Sequence, residues 1–251
     1  MKTYLIPALL LLPLASRPAL AQLDATVGPS PAPLGAPISV AVSNDTPALV
    51  GTGVCNFAVQ DANGNPVFTF IACPEILALI PAGEVFVNSW NQLDDLGNPV
   101  PAGSYTVDVF LPDGTTKSFP LTLGGVDAAA TLHGVPRIGT TRALRLVSPL
   151  DPGFPYVAAA SGAVAPGIAT CAGALPIAPD FLFLLSLSGS SAFQNFAGTL
   201  DGTGESVDPQ VSIPPSPALV GLPLAFAFLT LDLAQPCPVR RISAPLAVTV
   251  L

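Results

Sequence analysis

Charge is scarce in this chain. Of 251 residues only 10% are Asp, Glu, Lys or Arg, and 8 bases face 16 acids for a net charge of −8 at pH 7. A surplus of that sign repels nucleic acid and anionic lipid headgroups, so neither is expected as a partner. There is one histidine, His133, and beyond residue 21 one lysine, Lys117. Hydrolysis through a Ser or Cys nucleophile needs a nearby base to take its proton. No serine stands in a GxSxG turn, and His133 sits in "AATLHGVPRIG", beside a run of small residues. A Ser-Lys arrangement is equally unsupported with Lys117 alone in "DGTTKSF". Zinc wants closely spaced Cys or His ligands, whereas this sequence has no CxxC and no histidine near a cysteine. Phosphate-cradling glycine loops and dinucleotide fingerprints are missing too. A glycosidase needs two acids across a sugar, with aromatics to stack on it. Asp94 and Asp95 are adjacent but fall in a turn, and the chain has one Trp and three Tyr. No catalytic residues are expected.

Long helices are missing as well. Thirty prolines and 22 glycines interrupt every window that might hold a 3.6-residue pattern, because proline lacks the backbone donor and clashes within a helix. What remains is rich in apolar residues, half of the total, with a mean hydropathy of +0.63. That is ample material for a core and unlike a disordered composition. The expected class is all-β: two immunoglobulin-like or jelly-roll-like β-sandwich domains.

The N-terminus has the form of a secretory leader. Lys2 precedes an apolar run from Tyr4 to Ala15, and Ala19-Leu20-Ala21 offers a small-residue cleavage site. The run is too short for a membrane span and carries Pro7 and Pro13. Cleavage after Ala21 removes two bases and no acid, leaving 6 against 16 and a net charge of −10. No membrane span is expected in the mature chain, which would be secreted, periplasmic or held in the cell envelope.

After a Pro/Gly-rich lead over residues 22–36, short strands are predicted at 37–44, 55–60, 66–73, 83–91, 103–111 and 116–123, each closed by turn residues. They make a first sandwich over 37–123. Small residues at 124–134 read as a linker, and 135–251 as a second sandwich with strands at 142–148, 155–161, 181–188, 193–200, 205–213, 223–233 and 245–251. The nearly continuous apolar runs "LFLLSLS" and "AFAFLTL" are expected as central strands buried on both faces.

Export favours disulfides for the four cysteines. In the hairpin "CNFAVQDANGNPVFTFIAC", a turn centred on Gly64 places Phe57 opposite Ile71 and Cys55 opposite Cys73. Cys171 and Cys237 are left for each other, giving one bridge per domain. No cofactor is expected. Calcium is the one candidate ion: the segments 61–65 ("DANGN") and 201–206 ("DGTGES") set oxygen donors beside glycines, though neither matches a DxDxDG loop and turn chemistry alone accounts for both.

Residues 34–123 resemble the BsuPI family, named for an intracellular proteinase inhibitor of bacilli. The residues that carry the resemblance are Val59, Asp61, Gly64 and Val67, then Trp90, Asp94 or Asp95, Gly97, Val100, Pro101, Gly103 and Tyr105. It implies an immunoglobulin-like sandwich and, as one function, proteinase inhibition through an exposed loop at residues 94–102. The residues themselves have fold-defining explanations: Trp90, Gly103 and Tyr105 build a sandwich corner. The loop Asp94, Asp95, Gly97, Asn98, Pro99 and Pro101 is the candidate binding segment. The second half resembles a module near the C-termini of secreted bacterial proteins of planctomycete type. There Arg137, Asp180 and Asp232 are expected as structural ion partners or a binding rim. The chain is thus expected to be a non-catalytic binding or scaffold protein whose partner is a protein or surface polymer, with a secreted proteinase inhibitor as the alternative and a carbohydrate-active or metal-dependent hydrolase as a distant third.

Overall fold

The computed structural model describes residues 22–251, so the expected leader lies outside the described residues. The chain is all-β and packs around two main cores. The first unit holds β1 (Leu23–Gly28), β2 (Ile38–Asn44), β3 (Val50–Gly53), β4 (Phe57–Asp61), β5 (Pro66–Phe68), β6 (Leu77–Ile80), β7 (Val85–Trp90), β8 (Gly103–Phe110) and β9 (Thr116–Leu123). One antiparallel sheet runs β1-β2-β7 and the facing one β5-β4-β8-β9. Alternation does the work of a sandwich here: Ala25, Ile38, Val40 and Val42 point inward from one sheet, and Phe57, Val59, Val107, Val109 and Leu121 from the other.

The pair β3-β6 prolongs the β2-β7 ladder beyond an interruption at residues 45–49, as a two-stranded arm. Asn44 organises the junction, its Nδ2 donating to the carbonyls of Ala48 at 2.7 Å and Ile80 at 2.8 Å.

The second unit comprises β10 (Ala129–Leu132), β11 (Thr141–Val147), β12 (Pro155–Ser161), β13 (Ile168–Thr170), β14 (Gly173–Leu175), α1 (Phe181–Leu187), β15 (Phe193–Gln194), β16 (Ala197–Thr199), β17 (Glu205–Ser206), β18 (Gln210–Ser212), β19 (Pro223–Leu231), β20 (Val239–Ile242) and β21 (Leu246–Thr249). Its sheets are β10-β11-β18-β15, with β17 on β11, and β16-β12-β19-β20, with β21 on β19. Tyr156, Phe226 and Phe228 fill the space between them. Ala159, Ala225 and Ala227 lie on the other face of β12 and β19, beneath Leu175 and Ile177. The strand expected from "AFAFLTL" is therefore central and buried on both faces.

Several expectations need correction. "LFLLSLS" is not a strand but the helix α1, capped by Asp180, whose carboxylate accepts from the Phe183 N–H at 2.9 Å. An unbroken apolar run does not distinguish the two states by periodicity, and this one is leucine-rich with no β-branched residue. Its Ser186 is buried, while Phe181, Leu184 and Leu187 are exposed. The lead at 22–36 contributes β1, which pairs along the whole of β2 from Leu23↔Asn44 to Gly28↔Ser39. The linker at 124–134 contains β10, paired to β11. The strand expected at 66–73 stops at Phe68, and a bulge at Val67 sets the hairpin register at Val59↔Phe68 and Gln60↔Pro66. Cys55 and Cys73 still meet, with Cα atoms 5.8 Å apart, and so do Cys171 and Cys237, at 5.6 Å. Disulfides of this kind belong to chains that fold in oxidising compartments.

The two units share a polar seam. The outer face of the first sheet is built of small residues, Thr26, Gly28, Ser39, Ala41 and Ser43, and three arginines of the second unit reach onto it. Arg142 donates to Asp45 Oδ1 at 2.7 Å and to the Gly83 carbonyl at 3.0 Å. Arg137 pairs with Asp45 and Asp24, and Arg145 donates to the Pro37 carbonyl at 2.7 Å while pairing with Glu205.

Candidate functional site

The loop at residues 94–101 is pinned from three sides. Asp94 N–H donates to the Asn98 carbonyl at 2.9 Å and Gly97 N–H to the Asp94 carbonyl at 3.0 Å, closing a tight hairpin turn. Gly97 sits at φ 83°, a conformation that side chains disfavour. The Asp94 carboxylate accepts from the N–H groups of Leu96 and Asn98, and these bonds, chiefly that of Asn98, hold its pKa below the ordinary value. Asp95 turns the other way, accepting from the N–H of Thr69 at 2.8 Å and its hydroxyl at 3.0 Å. At the base, Trp90 Nε1 donates to the Leu93 carbonyl at 2.8 Å, and Tyr105 Oη to the Pro101 carbonyl at 2.7 Å. The latter is the bond of a sandwich's tyrosine corner. Trp90 packs against Phe68 and Tyr105, with ring centroids 6.3 and 6.2 Å apart. Burial raises the Tyr105 pKa, helped by nearby Asp61.

The structure therefore brings Asp94, Asp95, Pro99 and Pro101 together around a depression of about 410 Å³ that Asp61, Val67 and Tyr105 also line. Gly97 and Asn98 shape the turn above it, whereas Gly103 opens β8 and serves the fold. At the tip stands Leu96, 86% exposed. The same turn recurs at Asp61–Asn65, and a related one at Asp201–Glu205. There the Asp61 carboxylate accepts from Asn63, Asn65 and the Asn65 side chain, and that of Asp201 from Thr203 and Glu205. The oxygens considered for calcium thus already hold their own loops.

His133 is not in a linker. Its Nε2 lies 3.0 Å from Ser39 Oγ across the seam between units, and that same oxygen accepts from Arg145 at 3.0 Å. Burial, then the charge of Arg145, lower the His133 pKa to about 4, which leaves a weak base at neutral pH. Ser39 is only 4% exposed, while half-buried His133 borders a depression of about 420 Å³ that Glu84 and Arg142 also line.

Arg137 and Asp232 are ion partners, as expected: Arg137 binds Asp24 and Asp45, and Asp232 lies 3.6 Å from Arg240. Asp180 instead caps α1 and binds Gly162 N–H and Ser161. Sequence reasoning missed the centre of the second cluster. Asp151, fully buried, accepts from Ser148, Thr230 and Arg240, and Arg241 approaches to 3.4 Å. A bulge in β20 lets neighbouring arginines converge on one carboxylate, and local sequence gives no sign of it. Gln92 was also missed. It is buried at φ 59°, binding the carbonyls of Pro33 and Ala36 and the N–H of Gly35.

All six bases of the described residues are ion-paired: Lys117, Arg137, Arg142, Arg145, Arg240 and Arg241. Of the 16 acids, six share those pairs and ten have no ion pair among the described residues. No cation is left over to hold an anionic ligand. No helix among the described residues is long and apolar enough to cross a membrane.

No protein family matches the chain, and no curated protein matches it. Among solved structures it is similar to red sea bream transglutaminase (11% identity, TM-score 0.32), covering 91% of this chain and 31% of that one. It is also similar to native alpha-2-macroglobulin of E. coli (10%, TM-score 0.28; 91% and 17%) and to Salmonella alpha-2-macroglobulin reacted with methylamine (15%, TM-score 0.26; 91% and 14%). The chain spans less than a third of each of these proteins.

Proposed function

We propose that this protein is a non-catalytic binding or scaffold protein, secreted or held in the cell envelope, whose first sandwich makes the contact. One observation carries the reading: the bases are engaged in holding the fold, while large apolar side chains stand in solvent, among them three leucines of the first unit. The bases are ion-paired, and His133 stands against the buried Ser39 hydroxyl. Leu96, Leu77 and Leu79 are 86%, 68% and 64% exposed. The test is retention on the surface fraction of the producing cell, read by co-sedimentation over a range of protein concentrations. Saturable retention supports the reading. No retention, together with turnover of an ester, peptide or glycoside substrate that His133→Ala abolishes, refutes it.

The proteinase-inhibitor alternative draws on Leu96, a single apolar side chain at the tip of a pinned loop. A protease cleft takes an extended segment as an added strand, whereas residues 94–98 fold back on themselves. Titration of subtilisin-like and trypsin-like proteases with the intact protein decides this: a stoichiometric endpoint lost in Leu96→Asp favours inhibition, and undiminished protease activity removes it.

A further inference from the structure

The arm formed by β3 and β6 lacks the features that guard several other sheet margins. Edge strands invite pairing, and natural sheets blunt them with charge, proline or bulges. Here β9 carries Lys117 and Pro120, β5 begins at Pro66, and β20 carries Arg240 and Arg241 beside a bulge. The arm has none of these. Its strands read Val-Gly-Thr-Gly and Leu-Ala-Leu-Ile, pair only with each other, and leave their outward amides and carbonyls without a backbone partner among the described residues.

Its two faces differ. Thr52 and Ile80 point into the first core, 2% and 1% exposed. On the other face Leu77 pairs with Gly53 and Leu79 with Gly51, so two exposed leucines stand over two residues without side chains. Leu49, 60% exposed and two residues before Gly51, extends this apolar surface. Glycine disfavours strand by about 0.5–1 kcal/mol relative to alanine, and where it is placed in a strand it commonly admits another backbone. The space above Gly53 is open, with no atom within 4 Å of a Cβ built there.

Charge selects the occupant. Glu75 precedes β6 and Glu84 follows it, both exposed and neither ion-paired among the described residues. A second copy of this chain has no unpaired base to offer them. We infer that the arm binds an extended segment of another protein, a short run of apolar side chains with a basic residue at each end, laid on Leu77 and Leu79 and paired with the arm's open backbone. This deepens the binding reading above and rests on it.

The test uses the intact protein and a fluorescein-labelled peptide, Lys-Val-Thr-Val-Thr-Val-Lys, read by anisotropy against the peptide with Glu in place of both Lys. The basic peptide binds and the acidic one binds at least about tenfold more weakly. Leu79→Asp, at an exposed position that leaves the core intact, abolishes binding. Glu75→Lys with Glu84→Lys inverts the preference. The inference is overturned if neither peptide binds, if Leu79→Asp binds as the native protein does, or if both peptides bind alike. Sedimentation of the peptide-free protein as a dimer that Leu79→Asp dissociates overturns it in favour of a second copy. If the native protein is retained on cell surfaces but binds neither peptide, the arm is wrong and the binding reading stands. Peptide binding without retention separates the two the other way.

Discussion

Arg142 Nη2 lies 2.7 Å from Asp45 Oδ1, and the pair joins the second sandwich to the first with the arginine side chain 1% and the aspartate 9% exposed. Arg137 takes the other oxygen of the same carboxylate at 2.8 Å. Removing one member of a buried ion pair strands the other without its partner, which costs about 3–5 kcal/mol. Asp45→Ala strands Arg142, while Arg137 keeps Asp24, and the loss falls at the junction rather than in either core. The expected outcome is a stability loss of about 3 kcal/mol or more by denaturant titration. In calorimetry the single transition of the native protein should divide into two, one per sandwich. A single, unshifted transition in the variant contradicts an electrostatic tie between the units.

The seam also predicts a pH dependence. Folded His133 has a pKa near 4, below its ordinary 6.5, chiefly because it is buried. As pH falls below 6.5 the unfolded chain takes up a proton that the folded chain refuses, so stability drops until about pH 4 and then levels for this group. The full contribution is present above pH 6.5, and the total loss is about 3 kcal/mol. The lowered carboxylates Asp61, Asp94, Asp113 and Asp201 act in a separate window, their contribution being lost only as pH falls through and below 3.8. Unfolding free energies measured from pH 7.5 to 4 should therefore slope in the native protein and flatten in His133→Gln. A slope that persists in the variant assigns it to other groups.

Much of the fold was legible because alternation and turn chemistry are local. "TKSFPLTL" and "PYVAAAS" are strands over their whole predicted lengths, and the corner at Trp90, Gly97 and Tyr105 is where turn residues and large aromatics placed it. What failed to show was set by distant partners. β1 is a strand because β2 offers its edge, although Pro and Gly dominate the segment around it. The exposed leucines of α1 follow from Ser186, whose hydroxyl turns inward to bind the Ala160 N–H at 3.0 Å. In the candidate loop the acids were visible but their engagement was not, since Asp95 depends on Thr69, 26 residues away in sequence.

Close approach at the seam is testable through Gly28. A Cβ built there collides with Thr131 Oγ1 and comes within 3.0 Å of Thr131 Cβ. Gly28→Ala forces the two sheets apart or Thr131 aside, a strain of about 1–3 kcal/mol. Thr131→Ala removes the nearer atom, so the double variant should recover part of that loss. A coupling of about 1 kcal/mol in the double-mutant cycle confirms the contact, and strictly additive losses contradict it.

The two disulfides should differ in what they hold. Cys171–Cys237 spans 66 residues and Cys55–Cys73 spans 18, so chain-entropy arithmetic gives about 4 and about 3 kcal/mol. The longer loop contains most of the second unit, including β19, so replacing Cys171 and Cys237 by Ala should lower the stability of that unit as a whole. The shorter bridge ties the turn after β3 to the segment leading into β6, at the free end of the arm. β6 is anchored to the core through Ile80, while Leu77 and Leu79 stand in solvent, so little besides the bridge and the ladder with β3 restrains its first residues. Replacing Cys55 and Cys73 by Ala should therefore speed amide exchange at residues 76–79 well before it affects Val40 or Val107 in the core. Uniform acceleration across the first sandwich means instead that the bridge supports the whole unit and that the arm does not open on its own.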